Sequence, residues 1–93
     1  MLQVVVAYDI TDDKRRNKIA KCLEGYGMRV NYSVFECVLK PSGFKQLKKS
    51  LEKLLNSDED TIRIYQLCKD CIKKVTVMGD GMDGFDFSGC LIV

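Results

Sequence analysis

Histidine is absent from the 93 residues of this chain. Any hydrolytic chemistry must therefore rest on carboxylates, a metal, a thiol, lysine or tyrosine. No apolar run approaches the roughly 20 residues that a membrane-spanning helix requires. The amino terminus also lacks the basic segment, apolar core and small-residue cleavage site of a signal peptide, since Leu2 to Ala7 is only as long as a strand. The expectation is a cytoplasmic protein with no membrane partner. Five cysteines, an odd number scattered at 22, 37, 68, 71 and 90 through apolar patterns, argue against a secreted disulfide framework and for reduced thiols. Positive charge is missing from one end. Residues 79 to 93 hold three Asp and no cation, while residues 1 to 78 carry all 15 Lys and Arg against 10 acids. A basic body suits a polyanionic partner, and a mixed Lys and Glu surface is also how soluble proteins look.

What is present is the composition of a single globular domain, 46% apolar and 30% charged. A domain this short keeps a large surface for its volume, which favours self-association. Leu2 to Asp9 is apolar on both faces, as a central strand would be. Asp12 or Thr11 can cap a first helix, in which Ile19, Cys22, Leu23 and Tyr26 fall at helical spacing before Gly25 and Gly27 stop it. The run from Met28 to Val38 alternates and bends into two strands, which Pro41-Ser42-Gly43 breaks. Phe44, Leu47, Leu51, Leu54 and Leu55 make the stripe of a second helix, with Lys45, Lys48, Lys49 and Lys53 on its wet side. After a loop at Asn56 to Asp60, Thr61 to Cys68 alternates as a strand, and Ile72 to Met78 is β-branched enough for one more.

The order βαββαβ plus an extra strand predicts an α+β fold, the ferredoxin-like arrangement, with both helices on one face of a four-stranded antiparallel sheet. Its other face needs a cover, for which a second copy is the economical candidate. The expected organisation is a homodimer with a working domain at 1–78 and an acidic tail at 79–93. That tail ends in a short strand at Cys90 to Val93 and packs on the partner protomer.

Asp9 stands out within this frame. It closes a buried strand, and Thr11-Asp12-Asp13-Lys14-Arg15-Arg16 follows with the composition of a helix's first turn. Ligands and metals favour the carboxyl ends of strands, where backbone donors and side chains converge. Mg²⁺ is commonly held by one or two carboxylates plus waters and phosphate oxygens, so one Asp from each protomer of a dimer could complete a site that neither makes alone.

The string Tyr8-Asp9-Ile10-Thr11-Asp12-Asp13-Lys14-Arg15-Arg16-Asn17-Lys18-Ile19, followed by Gly27-Met28-Arg29-Val30-Asn31-Tyr32-Ser33-Val34-Phe35-Glu36-Cys37, resembles the small CRISPR-associated protein of the adaptation module, the Cas-two family. The resemblance continues through Ile62 to Cys68 and Lys74 to Gly79. It implies a homodimer of ferredoxin-like subunits, a divalent-metal-dependent endonuclease acting on RNA or DNA with Mg²⁺ or Mn²⁺, and the central scaffold of a complex with the CRISPR integrase subunit of the Cas-one family. By that resemblance Asp9 is the catalytic, metal-binding carboxylate. Arg16, Arg29 and Phe35 match further residues tied to activity or nucleic-acid contact, with Tyr8, Arg15 and Ser33 beside them. Lys18 stands where relatives can carry Arg, which keeps the charge but not a bidentate grip on phosphate.

Each residue also has a plainer reading. An Asp between strand and helix serves as a turn or cap residue. Arg15 and Arg16 oppose the helix dipole, which is poor for stability and favours phosphate, or else they form a solvated face. Arg29 suits an edge strand as well as a nucleic-acid contact, and Phe35 suits a core or dimer seam as well as a stacked base. Cys68-Lys69-Asp70-Cys71 is half a zinc site without a second half, or a reduced and occasionally oxidised turn. Gly79 to Gly84 lacks the Glu that closes a calcium loop. Two other functional classes stay open beside the nuclease: a non-catalytic nucleic-acid scaffold, and an RNA-cleaving toxin of the VapD type, which shares the fold.

Overall fold

The computed structural model describes residues 1–79. Strand β1 (Leu2–Asp9) lies at the centre of an antiparallel sheet of order β2-β3-β1-β4, with β2 at Gly27–Asn31, β3 at Val34–Leu39 and β4 at Thr61–Leu67. Helices α1 (Asp13–Glu24) and α2 (Pro41–Leu54) complete βαββαβ, and a short α3 (Lys69–Lys73) follows β4. The ferredoxin-like expectation therefore holds for the body of the chain.

Alternation decides the two faces of the sheet. Val4, Val6 and Tyr8 of β1 and Phe35, Cys37 and Leu39 of β3 are buried towards the helices, where they meet Ile19, Ala20 and Leu23 of α1 and Leu47 and Leu51 of α2. Register locks this arrangement, because Val4 opposes Cys37 and Val6 opposes Phe35. A slip of one residue would turn the whole set outward. Gly27 is required where α1 returns to the sheet, since a Cβ there would collide with the Cys37 sulfur and the Glu36 carbonyl. A bulge between Arg29 and Asn31 then shifts the β2–β3 register just before the hairpin turn.

Two expected features differ. Pro41-Ser42-Gly43 ends the extended run as expected, but it forms the first turn of α2 and is not a separate loop: the fixed φ and missing N–H of Pro41 suit that turn, and the Phe44 N–H bonds the Lys40 carbonyl at 2.9 Å. The extra strand expected over Ile72 to Met78 is replaced by α3, and residues 74 to 79 form no strand. A local cap wins over β-propensity there. Cys68 Sγ accepts the Cys71 N–H at 3.3 Å, the Ile72 N–H reaches the Cys68 carbonyl at 3.0 Å, and the turn drives Ile72 onto Val5, Val38 and Leu67. The open sheet face is thus covered at one end by the chain itself. The expected strand at Cys90 to Val93, and the tail beyond Gly79, lie outside the described residues.

Candidate metal and nucleic-acid site

Asp9 is the last residue of β1, pairs with Thr61 of β4 and is exposed. By strand alternation it shares the face of Val5 and Ala7, away from the helices. Among the described residues its carboxylate has no hydrogen bond or ion pair. Nor do three or more Cys, Asp or Glu among the described residues converge on a common point that could hold a metal. At this strand end the Asp9 carboxylate is the hard oxygen donor in view. That donor set fits Mg²⁺ or Mn²⁺, which keep several waters and take one or two carboxylates, and does not fit a closed zinc cage.

The start of α1 sorts its two arginines differently. Asp12 caps the helix by accepting the Arg15 N–H at 2.8 Å. Arg15 then reaches across to the α2–β4 loop, where Nε donates to Asp60 Oδ2, Nη2 donates to Asp60 Oδ1 at 2.9 Å and the same Nη2 meets Glu59 Oε2 at 3.1 Å. The Asp60 side chain is fully buried and also accepts the Asn56 N–H at 3.0 Å. Hydrogen bonds from the Arg15 guanidinium hold its carboxyl down to about 2 against the opposing effect of burial. The same hydrogen bond to Asp60 raises the Arg15 pKa further above its already high value. Arg16 keeps its guanidinium at the surface, 41% exposed, paired with Asp13 and donating from Nε to the Ile10 carbonyl at 3.4 Å. An exposed pair of that kind contributes about 0.2–1 kcal/mol, so a phosphate can displace Asp13 at little cost.

A second group lies under the β2–β3 hairpin. The Tyr8 hydroxyl donates to the Tyr32 carbonyl at 3.1 Å, and the Tyr8 N–H donates to the Ser33 carbonyl at 3.0 Å, which tie the hairpin turn to the end of β1. The Tyr8 and Phe35 rings stack with centroids 6.3 Å apart, and the Arg29 guanidinium sits 5.3 Å from the Phe35 centroid. Arg29 is exposed at the sheet edge, over a ring that is wholly buried. Tyr32, the residue at the turn, is 89% exposed and lines a shallow cavity of about 340 Å³ with Arg29, Val30 and Asn31.

Lys18 belongs to a third place. With Asp12, Lys14, Arg15, Lys53 and Leu54 it lines an open cleft of about 370 Å³ between the α1 start and the α2 end.

Two of the expected contact residues are engaged within the chain. Phe35 has no ring face to offer a base, because it fills the core beneath Arg29, and Arg15 is held by two carboxylates from a loop 45 residues away. Both support their neighbours from within the chain. Asp9, Arg16, Arg29 and Lys18 remain at the surface, and no contact joins Asp9 to Arg29. Sequence reasoning missed Asp60 altogether, and passed over Lys14 and Lys53, whose only signal was a place on the polar side of a helix.

Comparison with known proteins follows the same boundaries. A family model described as CRISPR associated protein Cas2 matches residues 1–75. A protein of Synechocystis sp. named CRISPR-associated endoribonuclease Cas2 is 50% identical over 80 residues, covering 86% of this chain and 87% of the relative. Among solved structures, a hypothetical protein from Thermus thermophilus superposes with a TM-score of 0.78 at 38% identity, covering 90% of this chain and 98% of that one. A chain of a partial Cas6-RT-Cas1–Cas2 complex superposes at 0.73 with 35% identity, covering 84% and 85%.

Proposed function

The chain belongs to the Cas2 family of CRISPR-associated proteins, and from that membership we propose that it serves CRISPR adaptation as a metal-dependent endonuclease and as a dimeric scaffold that holds DNA. Relatives named as Cas2 endoribonucleases support the nuclease activity, and the fold's occurrence in a Cas1–Cas2 complex supports a Cas1-family integrase subunit as partner. The observation that carries the active-site assignment is the Asp9 carboxylate, exposed and unpaired among the described residues on the open side of the sheet. In the proposed homodimer a second copy covers that side and brings a second Asp9 to the rim. The segment 79–93 is assigned to the same partner contact. Where no described helix is long and apolar enough to cross a membrane, a cytoplasmic site of action completes the proposal.

Each group then has a task. The two Asp9 carboxylates would hold the divalent cation. When bound, Mg²⁺ or Mn²⁺ supplies a Lewis acid for the scissile phosphate and a water of lowered pKa. Arg16, next to the strand end, exchanges Asp13 for a phosphate oxygen and stabilises charge gathering in the transition state. Arg29, braced by Phe35, and Lys18, in its cleft, position the backbone of the nucleic acid without reading sequence. Tyr8 and the Ser33 backbone keep the strand end and hairpin in register.

The cleft of Lys14, Lys18 and Lys53 also favours a second reading, the non-catalytic scaffold, since its cations lie apart from Asp9 and need no metal. Cleavage of single-stranded RNA, single-stranded DNA and duplex DNA by wild type and Asp9→Asn, with and without Mg²⁺, separates the two. The nuclease reading expects metal-dependent cleavage that Asp9→Asn loses by about a hundredfold or more, with DNA binding retained. Full cleavage by purified Asp9→Asn would overturn the site, whereas no cleavage by either protein with DNA binding intact would leave the scaffold.

A further inference from the structure

Cys68-Lys69-Asp70-Cys71 takes no part in the proposed nuclease chemistry. The two sulfurs lie 3.1 Å apart, and the Cys71 N–H also donates to Cys68 Sγ at 3.3 Å. Both thiols are exposed, while Cys37 is buried and Cys22 half-buried. Two accessible sulfurs at that separation on one helical turn stand about 1 Å from bonding distance. A metal is a poorer account of the pair, because a structural zinc site needs four ligands and no third Cys, Asp or Glu joins them among the described residues.

We propose that Cys68 and Cys71 are a redox-active dithiol, a thiol–disulfide exchange site whose oxidant is a low-molecular-weight disulfide. The Cys68 thiol gives its proton to solvent, and its thiolate attacks one sulfur of the disulfide RS–SR. A Cys68–SR bond forms, the S–S bond breaks, and one RS⁻ leaves. The Cys71 thiol then gives its proton to that RS⁻ and attacks Cys68 Sγ, which forms the Cys68–Cys71 bond and expels the second RS⁻. Two protein thiols are oxidised and one disulfide is reduced to two thiols.

The order of attack follows from the surroundings. Hydrogen bonds from the Cys71 side chain and backbone pull the Cys68 thiol below its ordinary range, and the same contact raises Cys71. Burial pushes Cys37 up to about 11 and raises Cys22, so neither competes as a thiolate. The bond would staple the first turn of α3, the element that carries Ile72 onto the sheet.

The test uses the full-length reduced protein, glutathione disulfide as the probe, thiol counting, peptide mass mapping and a metal assay. Wild type should lose two thiols, release two equivalents of glutathione and show the new bond within the peptide containing residues 68 to 71. Cys71→Ser should stop at a mixed disulfide on Cys68, and Cys68→Ser should react at Cys71 about tenfold more slowly or less. The proposal fails if Cys68 of the Cys71→Ser protein stays unmodified, if another cysteine pair closes first, or if a bound metal ion masks both thiols in the purified wild type.

Discussion

The two faces of the sheet start from similar chemistry and end differently. Both are apolar along β1, with Val4 and Val6 on one side and Val5 and Ala7 on the other. The first is sealed by α1 and α2, so that Val4, Val6, Ile19, Leu23 and Leu47 have no exposed surface. Among the described residues the second receives Ile72 at one end and carries Asp9 at its rim. Stability is concentrated on the sealed side, and the unpaired carboxylate sits on the open side, where the proposed second copy would dock. Residues expected at one surface accordingly divide: Phe35 belongs to the sealed side, and Asp9 to the open one.

The sharpest way to break this contrast is to cut each face in turn. Phe35→Ala should cost about 3–5 kcal/mol of folding stability in denaturant melts, the range for a large buried aromatic, and should loosen Arg29 above it. Val5→Lys on the open face should instead leave the fold cooperative and lower the mass seen by light scattering from dimer to monomer. A Val5→Lys dimer would show that the second copy docks elsewhere.

The neighbouring arginines give the next largest difference. Asp60 is held near 2 by Arg15, below the ordinary carboxylate value of 3.8. Its folded pKa is the lower of the two, so the stability it contributes is complete above about pH 4 and is lost as pH falls towards 2. Acid melts of Arg15→Ala should lack that component and start from a lower midpoint at neutral pH, because a buried carboxylate has lost its partner. Arg16→Ala should melt like wild type throughout. The smallest effects belong to the exposed cations. Arg16→Ala, Arg29→Ala and Lys18→Ala should each reduce the salt slope of duplex DNA binding by about one unit, with little dependence on sequence. Unchanged slopes would return those residues to ordinary surface.

Local signals carried much of this outcome. The apolar run of Leu2 to Asp9, the cap at Asp12 and the stripe of Leu47 and Leu51 all operate over a few residues, and each named the element that forms. The α3 turn was hidden because Ile72, Val75 and Val77 read as a strand, while the deciding cap is a cysteine at 68, outside the usual capping residues. Periodicity told which residues share a face, but not which face the chain would cover. That is why Phe35 could be read as either a contact or a core residue. The Arg15–Asp60 clamp joins positions 45 residues apart and leaves no trace in local pattern. At the candidate site Asp9 was visible as a strand-end carboxylate. Its isolation was visible only in the structure, where Arg15 and Arg16 pair with Asp60, Glu59 and Asp13 instead.

The central claim is that two chains share one cation through their Asp9 carboxylates, and the stoichiometry of Mn²⁺ binding, followed by paramagnetic resonance on protein of known dimer concentration, tests it most directly. The account predicts one tightly bound ion per two chains in wild type and none in Asp9→Asn, which should still dimerise. One ion per chain, or binding that survives Asp9→Asn, would contradict it.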